Sequence, residues 1–261
     1  MKSNYRYIVK AFMAMAVIAG TTSCDDFLDR EPMSSISPET YYSTAAQLEA
    51  NLNDEYPNVL PSFGQWTYGI FGEDKGTDNQ IEVNANDRYT QDRWKVPHSE
   101  SDNWKFERIY RINFFLSEAL PKFGEDMSGS QNTISGSVAT IKHYIGEMYF
   151  LRAYEYFKKL QLFGDFPIIN QPLADEMEAL REASKRFPRN EVARFIISDL
   201  DKAYAYMSDV DMATTRINKD AAMLVKSRVA LFEATWLQNF KGTAFVPGGE
   251  GWPGASLHNN Y

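Results

Sequence analysis

The sequence predicts a mainly α fold, built from tetratricopeptide-like antiparallel pairs of long helices with a long irregular, aromatic-rich loop region. Three observations carry this expectation. Apolar residues recur at helical spacing in several long stretches. Small and aromatic residues interleave along those stretches, as closely packed helix pairs require. Residues 57–103 show no sustained period and hold Gly64, Gly69, Gly72 and Gly76 among Asn and Asp clusters.

The elements follow in order. Thr44 and Gln47 form a capping-box pair ahead of Ala45, Leu48, Leu52 and Tyr56, and Pro57 is expected to end that helix. Short strands fit Tyr68–Phe71 and Ile81–Val83 within the loop region, and long loops of this kind often carry function. Asp102 is placed to cap a helix from Asn103 to about Leu120, with Phe106, Ile109, Asn113, Leu116 and Leu120 on one face. A Ser-, Gly- and Asn-rich linker follows, from Gly124 to Gly136. Ser137 then caps a long helix, Val138 to Phe163, whose apolar residues occupy two sides and predict burial between neighbours. Gly164 and Pro167 stop it. Another helix spans about Asn190 to Met207. Asn218 caps a last one ending near Phe240, with Ala221, Val225, Phe232 and Trp236 as its expected core side. The tail is rich in Gly and Pro and is expected to end without a closing element.

The N-terminus is a targeting signal. Lys2, Arg6 and Lys10 precede the apolar run Ala11 to Ala19, closed by Gly20, Thr21, Thr22 and Ser23. That run is far short of the roughly 20 residues a spanning helix needs. Cys24, the only cysteine, follows the small residues directly. A thiol there resembles the acylated first residue of a bacterial lipoprotein, and several acyl chains anchor a protein without any spanning helix. The plainer alternative is a secreted chain with an incidental free thiol. The formal net charge is −8, and removal of residues 1–23 leaves 24 basic against 35 acidic residues, or about −11. Such a balance argues against nucleic acid and anionic lipid as partners, since both need a basic footprint.

"LRAYEYFKKLQLFGDFPII" (Leu151 to Ile169) resembles the most characteristic segment of the SusD/RagB family of outer-membrane lipoproteins, which bind nutrients, mostly glycans. "WKFERIYRINFFLSEAL" (104–120), "RFPRNEVARFIISDLDKA" (186–203) and "INKDAAMLVKSRVALFEATW" (217–236) resemble further segments of that family, in its order. "CDDFLDREP" followed by "SPETYY" is similar to the family's opening. The resemblance implies helix pairs packed on a less regular lobe, a ligand surface and no active site. It implies a SusC-like TonB-dependent transporter as partner, on which the protein sits as a lid. Asp25 and Asp26 resemble the acidic signal for display on the outer face of the outer membrane. Family members usually run longer. The division expected is therefore a lipoprotein signal peptide at 1–23, a tether at 24–43 and a SusD-like N-terminal helical domain at 44–246. Residues 247–261 would form a tail, the start of a missing C-terminal half.

Catalytic motifs are sparse. His143 and Glu147 lie one helical turn apart, but a zinc site of the HExxH kind needs a second histidine on that face. They read as surface or internally satisfied residues. No phosphate-cradling loop and no G-x-S-x-G elbow is present. "FGEDKGTDNQ" (71–80) lacks the alternating acids of an EF-hand and reads as a plain acidic turn. No cofactor or metal is expected. Arg152 and Arg228 read as structural, each reaching an acid or a carbonyl.

Binding chemistry is better represented. A sugar ring has an apolar face and a rim of hydroxyls. Aromatic faces cover the first, while Asp, Asn and Arg hydrogen-bond the second. Residues 57–103 hold Trp66 and Trp94 together with Asp78, Arg88 and Asn103, which are the expected ligand-binding residues. The same aromatics would equally suit a small core internal to the loop, and Trp104 suits packing as well as binding. The leading expectation is a non-enzymatic glycan-binding protein that passes its ligand to the transporter. A peptide-binding module of the same fold and a glycoside hydrolase are the alternatives.

Overall fold

The computed structural model describes residues 41–61, 80, 103–124, 126–208 and 215–258. Among these residues the secondary structure is helical, with no strand beyond two isolated bridges. The long helices are α1 (Ala45–Val59), α2 (Glu107–Phe123), α3 (Val138–Phe163), α5 (Arg189–Tyr206) and α6 (Lys219–Asn239). A short α4 (Met177–Ala183) and a 3₁₀ turn (Pro253–Ser256) complete the set.

Local capping chemistry sets most boundaries. The Gln47 amide donates to Thr44 Oγ1 at 3.3 Å while the Thr44 amide donates to Gln47 Oε1 at 3.1 Å, which is the reciprocal box expected. Ser137 and Asn218 cap α3 and α6 through their side chains. Gly164, with φ +71°, ends α3 in a conformation that a β-carbon disfavours.

Pro57 does not end its helix as expected, and α2 likewise holds a proline. α1 runs through Pro57 to Val59, and α2 runs past Leu120 and through Pro121 to Phe123. A proline removes the bond to the carbonyl four residues earlier. Here those carbonyls belong to Asn53 and Ser117, both exposed, so water replaces the lost partner. The buried Val59 and Phe123 beyond each proline hold the last turn in place. α2 also begins later than expected, at Glu107 after Phe106, and Asp102 lies outside the described residues.

Contacts along the helices fix their directions. Val138 at the start of α3 lies beside Phe123 at the end of α2, with both close to Gly129. Trp104, just before α2, packs on Phe163 at the end of α3. α2 and α3 are therefore antiparallel. Gly146 of α3 meets the end of α5 so closely that a β-carbon would sit 2.8 Å from the Met207 nitrogen and 2.9 Å from the Ala203 oxygen. Asp165, just after α3, meets the start of α5, so these helices are antiparallel too. Arg189 at the start of α5 reaches Glu233 late in α6, which makes α5 and α6 a third antiparallel pair. α3 is central, packed against α1, α2 and α5, and α5 in turn packs on α6.

The core follows from this order. α3 buries residues on every side, including Ile141, Ile145, Met148, Leu151, Tyr156 and Leu160. α6 buries Ala222, Val229 and Glu233, while the expected Ala221, Val225, Phe232 and Trp236 are half-buried beside them, Phe232 packing on Phe157 of α3. Leu224 and Leu231 on its outer side are 72% and 66% exposed. The tail is more ordered than its composition suggests, because Trp252 is buried and a 3₁₀ turn follows it. No described helix is long and apolar enough to cross a membrane.

Candidate functional site

The turn that ends α3 organises a cleft. Gly164 reverses the chain and presents Asp165 to the start of α5. Asp165 Oδ1 accepts the Arg189 amide at 2.9 Å, and its Oδ2 accepts Trp252 Nε1 at 2.7 Å. Phe166 and Phe187 exchange backbone hydrogen bonds at 3.1 Å and clamp the two segments together. Arg189 is buried and grips Glu233 of α6, with Nε 3.1 Å from each carboxylate oxygen and Nη2 3.0 Å from Oε2. Its guanidinium lies 4.1 Å over the Trp236 ring. These contacts bound a cavity of about 600 Å³ whose walls include Leu162, Asp165, Arg186, Arg189, Trp236 and Phe245. That volume falls within the range of small-molecule sites.

Two further polar networks are fully engaged and structural. Arg152 Nε and Nη2 donate to Asp199 at 2.6 and 2.8 Å, and Nη1 donates to Asn113 Oδ1 and the Asn170 carbonyl at 2.9 and 3.1 Å. This agrees with the structural role read for Arg152. Arg228 does not share it: its side chain is exposed, with no ion pair among the described residues. His143 and Glu147 belong to a clamp on the start of α6. Arg216 donates to the two Glu147 oxygens at 2.8 and 2.6 Å, and Tyr56 donates to Oε2 at 2.7 Å. The Ser208 amide donates to His143 Nδ1 at 3.3 Å, so Nε2 carries the proton toward the Ile217 carbonyl at 3.0 Å. Burial and the adjacent Glu147 carboxylate push the Tyr56 hydroxyl well above its usual range, which keeps it a donor. Among the described residues no cluster of His, Cys, Asp and Glu could hold a metal.

The profile of a SusD-like family, described as "Starch-binding associating with outer membrane", matches residues 26–231. The chain belongs to this SusD-like family. Curated relatives in Formosa agariphila include SusD-like protein P25, 25% identical over 82% of this chain and 41% of its own length. SusD-like protein P2 of the same organism is 25% identical over 92% of this chain and 46% of its own length. The chain thus spans less than half the length of these relatives. A solved SusD-like protein from Bacteroides fragilis aligns at a TM-score of 0.50 with 19% identity, over 81% of this chain and 39% of the other. That likeness shows the fold.

Of the ligand residues expected for this SusD-like chain, only Asn103 is described. It is exposed beside α2, and its carbonyl accepts Lys159 Nζ at 2.7 Å. Trp66, Asp78, Arg88 and Trp94 lie outside the described residues, as do Cys24 and the 71–79 part of the acidic turn. Trp104 packs edge-on against Phe106, Phe163 and Phe166 at 5.7, 4.8 and 4.9 Å, which is core packing. The cleft residues Asp165, Arg189, Glu233 and Trp252 were not anticipated as a group. Their one sequence signal is that "FGD" and "FPR" each punctuate a helix boundary, but nothing local joins Asp165 to Trp252.

Proposed function

We propose that this chain is the helical, glycan-capturing portion of a lipid-anchored outer-membrane protein that hands saccharide to a SusC-like TonB-dependent transporter. The carrying observation is the family match across residues 26–231. The targeting signal and Cys24 support anchoring through acyl chains, and Asp25 and Asp26 support display on the outer face. In this reading residues 1–23 are removed, 24–43 form the tether, 44–246 form the helical domain and 247–261 lead into further structure. Capture requires no bond making, so the protein is a binder and not an enzyme. Trp66 and Trp94 stack on sugar faces, while Asp78, Arg88 and Asn103 hydrogen-bond the hydroxyl rim. Several modest contacts along one polymer add up through their effective concentration.

Affinity electrophoresis in gels containing a panel of polysaccharides, starch among them, tests this. At least one polysaccharide is expected to retard the protein. Trp66→Ala and Trp94→Ala are each expected to weaken that retardation by about tenfold, the loss of roughly 1.4 kcal/mol. No retardation by any polysaccharide would refute the reading. A large barrel protein is expected to co-purify from detergent-solubilised outer membrane.

A further inference from the structure

The cleft at the end of α3 contains a donor with no acceptor among the described residues. Arg189 is 3% exposed, and Glu233 occupies its Nε and Nη2. Among the described residues its Nη1 has no hydrogen-bond partner, and it lies against Gly164, where a β-carbon would stand 3.4 Å from it. Both residues are cleft walls, and Nη1 is not among the fully buried polar atoms left without a partner, which places it at the cavity surface. A charged donor held in place without an acceptor binds an incoming oxygen more strongly than a neutral one does. Because the residue is already ordered by Glu233 and Trp236, the ligand need not freeze it.

The charge around the cavity selects the ligand. Lys185 and Arg186 line it beside Arg189, against Asp165 as its one acidic lining residue. Both Asp165 oxygens are taken by the Arg189 amide and Trp252. Lys185 meets Glu182 only in an exposed pair, which competes weakly with a ligand. Arg186 stacks 4.7 Å over Trp104 and makes no ion pair among the described residues. Three basic lining residues against one acidic one contrast with a chain of net charge −8. Apolar residues also line it: Phe245 is 63% exposed and Leu162 is 55% exposed.

We propose that this cleft binds a carboxylate-bearing sugar unit, a hexuronate within a glycan. The carboxylate accepts from Arg189 Nη1 with Arg186 and Lys185 nearby, and the ring's apolar face rests on Phe245. The inference depends on the glycan-capture reading.

Calorimetric titration with trigalacturonate and trimannuronate, each against its neutral counterpart galactotriose or mannotriose, tests it. At least one uronate is expected to bind, with its neutral counterpart weaker by about tenfold or more. Arg189→Lys keeps a cation facing Glu233 but loses the planar fork, and is expected to weaken uronate binding by about tenfold. Arg186→Ala changes an exposed residue, preserves the fold and is expected to lower affinity in the same direction. Equal affinity for charged and neutral sugars, or uronate binding indifferent to both variants, would overturn the proposal. So would tighter binding of triglutamate with the same sensitivity to the variants, which would make the cleft a peptide site. If no uronate binds while a neutral polysaccharide still retards the protein in a Trp94-dependent way, the cleft assignment falls and glycan capture stands. If no saccharide of any kind binds, both fall.

Discussion

α3 and α6 are the two longest helices described, yet the fold holds them by different means. α3 is covered on all sides, and its buried charges find partners on three neighbouring segments. α6 is covered on one side, with Leu224 and Leu231 largely in solvent. Apolar burial on all sides positions α3, while α6 combines one-sided apolar packing with two ionic clamps. Arg216 fixes its start to Glu147, and Arg189 fixes its later turns through Glu233. A buried ion pair adds little net stability compared with apolar packing, but it is specific, and losing one partner is costly. The cleft inherits its shape from this second kind of restraint.

The largest expected effect breaks the central network. Asp199→Ala leaves Arg152 buried beside Tyr149 and Phe195 without its carboxylate. An uncompensated buried charge of this kind costs about 3–5 kcal/mol. Chemical denaturation is expected to show that loss as a lower midpoint with an unchanged slope. A loss below about 1 kcal/mol, typical of an exposed pair, would mean that Arg152 finds water.

A matched pair of truncations sharpens the contrast between the two helices. Leu151 of α3 is fully buried, and Leu151→Ala is expected to cost about 2–5 kcal/mol. Leu231→Ala on α6 is expected to change stability by no more than about 0.5 kcal/mol. The same denaturation experiment reads both. Comparable losses would show that the outer face of α6 is covered in solution.

The two helices also differ in how far sequence reveals them. Caps are local chemistry, so Thr44, Ser137, Asn218 and the Gly164 stop are legible without a fold. The two-sided apolar pattern of α3 announces its burial. For α6, alanines and leucines occur on several sides of the helix, and its inward line contains Glu233. A carboxylate on the inward face becomes understandable only once Arg189 stands opposite. The prolines fail for a related reason: whether Pro57 or Pro121 breaks a helix depends on which carbonyl it frees and whether water reaches it. α4 is too short and too exposed to carry a stripe. The cleft joins residues 87 positions apart, Asp165 and Trp252, which no spacing rule connects.

A smaller effect belongs to the other side of the core, where α1 meets α2. Glu55 is buried, with Oε1 held by Arg111 Nε at 2.5 Å and Oε2 without a partner. Burial raises its proton affinity above the ordinary value of 4.5, and the nearby Arg111 only partly offsets this. Asp54 and Arg108 are the other charges that act on it. As pH rises past 4.5, the unfolded chain releases this proton while the folded chain retains it. Stability from this residue is therefore present at low pH, falls as pH rises through the folded value, and then levels. Glu55→Gln has no proton to release, so wild-type stability minus variant stability should decline with rising pH across that window. Melting temperatures of both proteins measured from acidic to neutral pH give this difference directly, with other carboxylates cancelling. Parallel curves would show that Glu55 is hydrated in the folded state, and that α1 is held less tightly to α2 than α3 is to its neighbours.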